Sequence, residues 1–381
     1  MQTEYQHNSD TNALNGLRVL DLSRVLAGPL CAMMLGDMGA DVIKVERPGQ
    51  GDETRGWGPP FDEFGESAYF LCTNRNKKSV AANLASASGR ELVTRLARGA
   101  DVVVENFRPG ALKRLELDAE RLRSDRPELV WLTITGFGAD SDRPGYDFVV
   151  QAERGWMAIT GAPDDAPTKV GVALVDVITG KDAAAAVLAA LVARSRTGIG
   201  AHIHVSLSRS ATSALMNVAQ NVLVSGRDAV RWGNAHPNLV PYELFQAEDR
   251  AVVIAVGSDA QWQSAARVLG LELLAVDARL ATNAGRLAHR ELVVRAVAER
   301  VRTRSASEWV AALAAEGVPC GVVRSVKEAL REEDASPQTG VASPYPGTVR
   351  LPPPRLDEHG EAIRRLGWDA FRPEQRSEAS R

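Results

Sequence analysis

Gly16-Leu17-Arg18-Val19-Leu20-Asp21-Leu22 is a short apolar run, and Asp41-Val42-Ile43-Lys44-Val45-Glu46 is a second. Each reads as a buried strand. Between them, Pro29 to Met38 reads as a helix, with proline early, where its missing N–H costs nothing, and Gly39 closing it. Strand, helix and strand within about thirty residues form a βαβ unit whose crossover is right-handed.

The pattern continues outward. Pro48 to Glu66 is rich in Gly, Pro and acids and reads as loop, and Ser86 to Gly99 as amphipathic helix. Asp101 to Glu105 and Leu129 to Ile134 are further apolar strands. Thr179 to Arg196 is an Ala-rich helix ended by Thr197-Gly198-Ile199-Gly200, and His202 to Leu207 is another strand. This alternation predicts an α/β fold with a doubly wound, Rossmann-like parallel sheet. The texture changes near Gly226. Trp232 to Pro241 is irregular, Ala251 to Gly257 reads as strand, and helices over Arg290–Thr303 and Ser307–Ala315 precede a short strand at Val318–Val323. The expected organisation is a large domain from 12–200, a linker at 201–225, a small α/β domain at 226–330, and a linker with C-terminal segment at 331–381.

Composition narrows the function. The 381 residues carry 45 Lys+Arg against 48 Asp+Glu, a net charge of −3. No bulk positive field exists to attract nucleic acid. Met1 to Asn15 is polar, and the longest apolar run, Ala183 to Ala193, is too short to span a bilayer, so no membrane role is expected. Cys31, Cys72 and Cys320 form neither a disulfide framework nor a zinc-type pair, which fits a reducing, cytoplasmic setting.

The turn after the first strand, Ser23 to Pro29, lies at the edge where open α/β sheets bind ligands. A dinucleotide loop wants three glycines; only Gly28 is present and Pro29 removes an N–H, so a plain βαβ unit is the better reading. The run Asn74 to Ser79 is cationic and amide-rich, either a solvated loop or a phosphate site. Asn106-Phe107-Arg108-Pro109-Gly110 follows a strand and offers a ring beside a cation for an adenine, though its Pro-Gly is ordinary turn chemistry. His202 and His204 share one strand face without a third ligand nearby, so no metal site is expected. His236 lies in a polar, irregular loop. Asp176 interrupts an apolar stretch before the Ala-rich helix. It is either an N-cap or, since Thr179 and Asp182 are also placed to cap, a carboxylate available as an acyl-accepting nucleophile.

In order along the chain, several segments resemble the family III CoA-transferases of the CaiB/BaiF type. They are Leu14 to Ser23, Ala27 to Pro29, Gly39 to Glu46, Asn76 to Ser79, Val104 to Gly110, Gly145 to Asp147, Pro167 to Ala173 leading to Asp176, and Gly233 to Asn238. The resemblance implies an enzyme that moves CoA from an acyl-CoA to a small free carboxylic acid. The family's nucleophilic aspartate falls on Asp176. No tightly bound cofactor is implied, with coenzyme A or acyl-CoA as substrate. The family's CoA contacts map onto Leu26, Ala27, Arg47, Ala82 to Ala85 (including Asn83 and Leu84), Asn106, Phe107, Arg108, Arg114 and Ile134 to Phe137 (including Thr135, Gly136 and Phe137). Arg47 and Arg114 would hold phosphates, and residues 75 to 78 would only flank the site.

Departures from the family refine this. Some members carry Gln at Leu26 and Lys at Thr135. Members that racemise 2-methylacyl-CoA carry His at Tyr146, which makes a racemase the alternative, together with a formyl- or carnitine-type transferase. The loop with Asn234, His236, Pro237 and Asn238 is similar to that of members acting on dicarboxylates, so Tyr146, Asn234, His236 and Asn238 are the expected acid-binding residues. The family also implies an interlocked homodimer, with the small domain inserted in the large one.

Overall fold

A computed structural model describes residues 12–332 and 348–372 of the protein. The expected loose N-terminal tail and much of the Pro-rich stretch after Ser336 lie outside those residues. The chain divides into two compact units. The first takes the chain up to Trp156, Val170–Ser225 and the C-terminal segment; the second takes Met157–Lys169 and the chain from Gly226 up to that segment.

In the first unit, β1 (Arg18–Asp21), β2 (Asp41–Glu46), β3 (Lys77–Ala81), β4 (Val102–Glu105), β5 (Val130–Thr135) and β6 (His202–Ser206) form one sheet. Its order is β3-β2-β1-β4-β5-β6, with every pair parallel. Strand order reverses between β1 and β4, which makes their carboxyl ends the ligand-binding crevice of such a sheet. The helices that matter for the site are α1 (Ala27–Asp37), α2 (Ala87–Arg98), α3 (Asp147–Glu153) and α4 (Leu174–Thr197).

Alternation along the strands feeds two cores. Val19, Val42, Val102, Val104, Val130 and Leu132 pack with α1 and α4 on one face. Leu20, Ile43, Val103 and Trp131 pack on the other with Val93 and Leu96 of α2. Ile363 and Trp368 of the C-terminal segment join that second core, and the Trp368 indole N–H donates to the Leu96 carbonyl at 2.9 Å.

Three sequence expectations change here. Residues 201–225 are not a linker: they hold β6, paired with β5, and helical segments of the first unit. The strand was visible, but its place at the sheet edge depends on pairing that no local pattern encodes. The run 74–79 is not a solvated loop or a phosphate site. Asn74, Arg75, Asn76 and Lys77 are buried, and Lys77 opens β3. Arg75 makes a bidentate pair with Asp37 (3.0 and 2.7 Å), and the Lys77 ammonium lies 2.9 Å from Asp21. Burial opposes the Asp21 charge, but Lys77 and Lys44 outweigh it and hold this carboxyl below its ordinary range. Third, the long helix begins at Leu174 rather than Thr179.

The second unit contains an antiparallel sheet of β7 (Tyr242–Gln246), β8 (Ala251–Ala255) and β9 (Cys320–Val322), in that order. Its core is built on Trp262, Trp309 and the valine stripe Val293, Val297 and Val301. β7 escaped the sequence reading because only Phe245 of its five residues is buried, so the strand carries no apolar alternation.

Candidate active site

The loops after β1 and β4 are locked together across the crevice. The Asn106 side chain accepts from the Arg24 N–H (3.0 Å) and donates to the Arg24 carbonyl (2.8 Å). Arg24 also pairs with Glu53 at 3.2 Å and lies over the Phe107 ring. Val25 is held at φ 73°, which costs a β-branched residue roughly 1–3 kcal/mol. The Asp52 carboxylate accepts its N–H at 3.3 Å, while Asp52 is itself held by Thr54 and by the buried Lys44 ammonium at 3.0 Å. Gly28 is required because a Cβ there would come within 2.4 Å of Ser23. These contacts fix the start of α1 beside the crevice.

A cavity of about 480 Å³ opens beside this clamp. Arg47, Asn83, Leu84, Phe107, Arg108 and Arg114 line it together with Arg24 and residues 82 and 85. The cationic side chains are exposed at its rim, with Arg47 bonded to Gln50 at 3.1 Å. A second cleft of about 200 Å³ is lined by Leu26, Ala27, Asn106, Thr135, Gly136, Arg143, Tyr146 and Asp176. The two share Arg24, Glu53, Phe107 and Arg108 as walls. One continuous surface therefore runs from an arginine-rich rim to a buried carboxylate. Phe137, expected among the contacts, lines neither cavity: it packs against the core with the Arg143 guanidinium 4.1 Å from its ring centroid.

Asp176 stands in the first turn of α4 without capping it. Ala173 precedes the helix and has no side-chain bond to offer. The cap comes from Asp147, whose Oδ1 accepts the N–H groups of Val175 (2.8 Å) and Asp176 (3.3 Å). Thr179 bonds back to the Val175 carbonyl and Asp182 to Ser210, so neither caps. The Asp176 carboxyl is free to face the cleft, and no hydrogen bond to it occurs among the described residues. Burial first, then the neighbouring Asp147 charge, push it up to about 7. Gly180, one turn on, lets α4 approach α1: a Cβ there would be 2.8 Å from the Ala27 carbonyl oxygen. The Tyr69 phenol, pushed up to about 12 by burial and then by Asp176, Cys72 and Asp147, is a neutral donor nearby.

The remaining expected residues lie in the second unit. His236 Nδ1 accepts the Asn238 N–H at 3.0 Å, so the neutral ring carries its proton on Nε2. Burial and then Arg290 hold the His236 ring below its usual range. Arg290 donates to the carbonyls of His236 and Pro237, and Asn283 to that of Asn238. The loop is thus braced by its backbone, with the Asn234 and Asn238 side chains exposed and the His236 ring half-buried beside Tyr242. The His202 and His204 rings lie 4.0 Å apart between centroids, tilted by 39°, with His202 bonded to Thr133. Among the described residues, no group of three His, Cys, Asp or Glu is arranged to hold a metal.

Sequence reasoning missed Arg24, Asp52, Tyr69, Arg143 and the capping role of Asp147. Only Asp147 left a local signal, in Gly145-Tyr146-Asp147, and its partners lie 28 and 29 residues away.

The first unit thus carries a Rossmann-like sheet with an arginine-rimmed cavity at its switch point and, sharing walls with it, a cleft lined by a buried carboxylate. Residues 14–360 match the model of CoA-transferase family III. The chain is 41% identical over 373 residues to the succinate–glutarate CoA-transferase of Agrobacterium fabrum, covering 91% of this chain and 93% of that one. It is 40% identical to the succinyl-CoA:glutarate CoA-transferase of Mus musculus, covering 92% and 85%. A crystal structure of a CaiB/BaiF family protein from Brucella suis is similar with a TM-score of 0.83 at 40% identity, covering 93% of this chain and 99% of that one. The chain belongs to CoA-transferase family III.

Proposed function

We propose that this enzyme transfers CoA from succinyl-CoA or a similar acyl-CoA to a free dicarboxylic acid through covalent intermediates on Asp176. The observation that carries the reading is the buried, unbonded Asp176 carboxyl at the end of a cleft that shares walls with the arginine-rimmed cavity. A carboxylate oxygen of Asp176 attacks the donor thioester carbon, and the C–S electron pair leaves with CoA thiolate. The mixed anhydride formed is then attacked by the thiolate at the Asp176 Cγ, releasing the donor acid and leaving an aspartyl–CoA thioester. The acceptor carboxylate attacks that Cγ, the thiolate departs, and its attack on the acceptor acyl carbon of the new anhydride frees Asp176. Every bond broken is replaced by one of similar activation, and protons balance without a further reactant.

In this reading the CoA moiety follows Leu26, Ala27, Asn83, Leu84, Phe107 and Arg108, with Arg47 and Arg114 on its phosphates. Arg47→Ala and Arg114→Ala each remove charge-assisted hydrogen bonds worth about 1.5–3 kcal/mol, so KM for acyl-CoA is expected to rise about ten- to a hundredfold. The KM for the free acid should barely move. Unchanged acyl-CoA KM in both variants removes the phosphate assignment.

The loop carrying His236 is proposed to read the distal carboxylate, through the Nε2–H of a neutral ring. A panel of acyl-CoA donors against free acids, read by mass spectrometry, tests the substrate class. Within it, His236→Ala should lower the succinate-to-butyrate ratio of kcat/KM by roughly tenfold, the effect of one hydrogen bond to a charged group. An unchanged ratio removes the loop from acid selection. Homodimeric assembly and a cytoplasmic setting complete the proposal. Sedimentation at twice the chain mass checks the first, and fractionation of the source cell the second.

A further inference from the structure

We infer that Asp147 and Gln151 are positioning residues, which hold the strap 170–176 so that Asp176 meets its substrates in the attack geometry; the inference rests on the reading of Asp176 as nucleophile.

The two side chains are four residues apart on α3 and so share a face. Both are buried, Gln151 completely. Asp147 Oδ1 takes the N–H groups of Val175 and Asp176 at 2.8 and 3.3 Å. Its Oδ2 accepts from the Gln151 amide at 2.6 Å. The Gln151 oxygen in turn accepts the Val170 N–H at 2.9 Å. One side-chain pair thereby fastens both ends of the segment that delivers the nucleophile.

The segment needs such fastening. A helix start leaves four N–H groups without intrahelical partners, and the preceding residue usually supplies one. Ala173 supplies none, Gly171 adds backbone freedom, and Val172 is exposed. Val175 packs in the core, but without Asp147 the N–H groups of the turn carrying Asp176 have no side-chain cap. The reaction attacks the Asp176 Cγ twice, from a thiolate and from a carboxylate, so small displacements are costly: about 1 Å costs about a hundredfold.

An acid rather than an amide at 147 has a second consequence. Its charge takes up the positive end of the α4 dipole and adds a like charge beside Asp176, keeping that carboxylate basic and therefore more nucleophilic. The other titratable and charged groups around Asp176 are the Tyr69 phenol from the 68–71 helix, Asp142, Arg143 and Tyr146 from the loop before α3, and Arg24, Glu53 and Arg108, which line the same cleft.

The test compares Asp147→Ala, Asp147→Asn, and Asp147→Asn combined with Gln151→Glu, with Asp176→Asn alongside. For each folded variant kcat, KM for acyl-CoA, thermal midpoint and the pH profile are measured. Asp147→Ala should lose about a hundredfold or more in kcat with little change in KM for acyl-CoA. Asp147→Asn keeps the acceptor for the N–H groups but turns an amide against the Gln151 amide. Adding Gln151→Glu restores that hydrogen bond and moves the charge away from Asp176. The double variant should therefore recover kcat relative to Asp147→Asn at alkaline pH and shift the acid limb to lower pH. A structural role would restore stability in the double variant without moving the pH limb. A folded Asp147→Ala with wild-type kcat, or a double variant with no gain over Asp147→Asn, overturns the inference. Should Asp147→Ala not fold, the double variant decides alone. An active Asp176→Asn overturns the nucleophile reading instead, so the two failures are distinct.

Discussion

Asp176→Asn is expected to abolish CoA transfer, by roughly 10⁴-fold or more, and to make the protein more stable at neutral pH. The loss follows from the proposed covalent route, because an amide oxygen does not displace a thiolate from a thioester. The gain follows from the environment. The carboxyl is buried, without a hydrogen bond among the described residues, and beside Asp147. These raise it to about 7 from 3.8. Between those two values the folded state holds a proton that the unfolded state has released, so stability falls as pH rises through the window. Above about pH 7 the penalty is complete, and below about pH 4 it is absent. At ~1.4 kcal/mol per unit it amounts to roughly 4 kcal/mol at most. Asparagine carries no charge to bury and escapes it. Urea unfolding of wild type and Asp176→Asn at pH 5 and pH 8 is the check, with transfer assayed by mass spectrometry. The stability gap should widen with pH. Near-wild-type turnover sinks the mechanism, and a gap that narrows with pH sinks the electrostatic account.

The fold was largely legible because its signals are local. The apolar runs of β1, β2, β4 and β5 are buried on both faces and read as strands without reference to anything distant. β3 was not, because Lys77-Lys78-Ser79 is polar and its burial is compensated by Asp21, which is distant in sequence. The same cause hid the start of α4. A cap adjacent to a helix can be read; a cap supplied by Asp147 cannot. At the site, Asp176 was visible as an acid out of place in an apolar stretch. Arg24 and Asp52 were not, since their roles exist only once the loops after β1 and β4 meet. Asn106 has a role that its sequence context does not show: both polar atoms of its side chain are engaged by the Arg24 backbone, so it builds the crevice wall beside the half-buried Phe107 ring.

The pH dependence of turnover gives the other large effect. In the proposed mechanism only the ionised Asp176 attacks, so kcat/KM for acyl-CoA should rise with pH along a single-proton limb with its midpoint near 7. Two units below that midpoint the rate should be about a hundredfold under its plateau. His236, held below its usual range by burial and then by Arg290, is proposed to act in acid choice and should not shape this acyl-CoA limb. No alkaline limb is expected from the Tyr69 phenol up to pH 9, since burial and then Asp176 hold it near 12. Donors with and without a second carboxylate separate enzyme from substrate titration: the midpoint should be the same for both. A midpoint near 4 would mean that solvent relieves the burial of Asp176 in the free enzyme. The nucleophile would then be an ordinary carboxylate, and Asp147 would serve α4 as a cap alone.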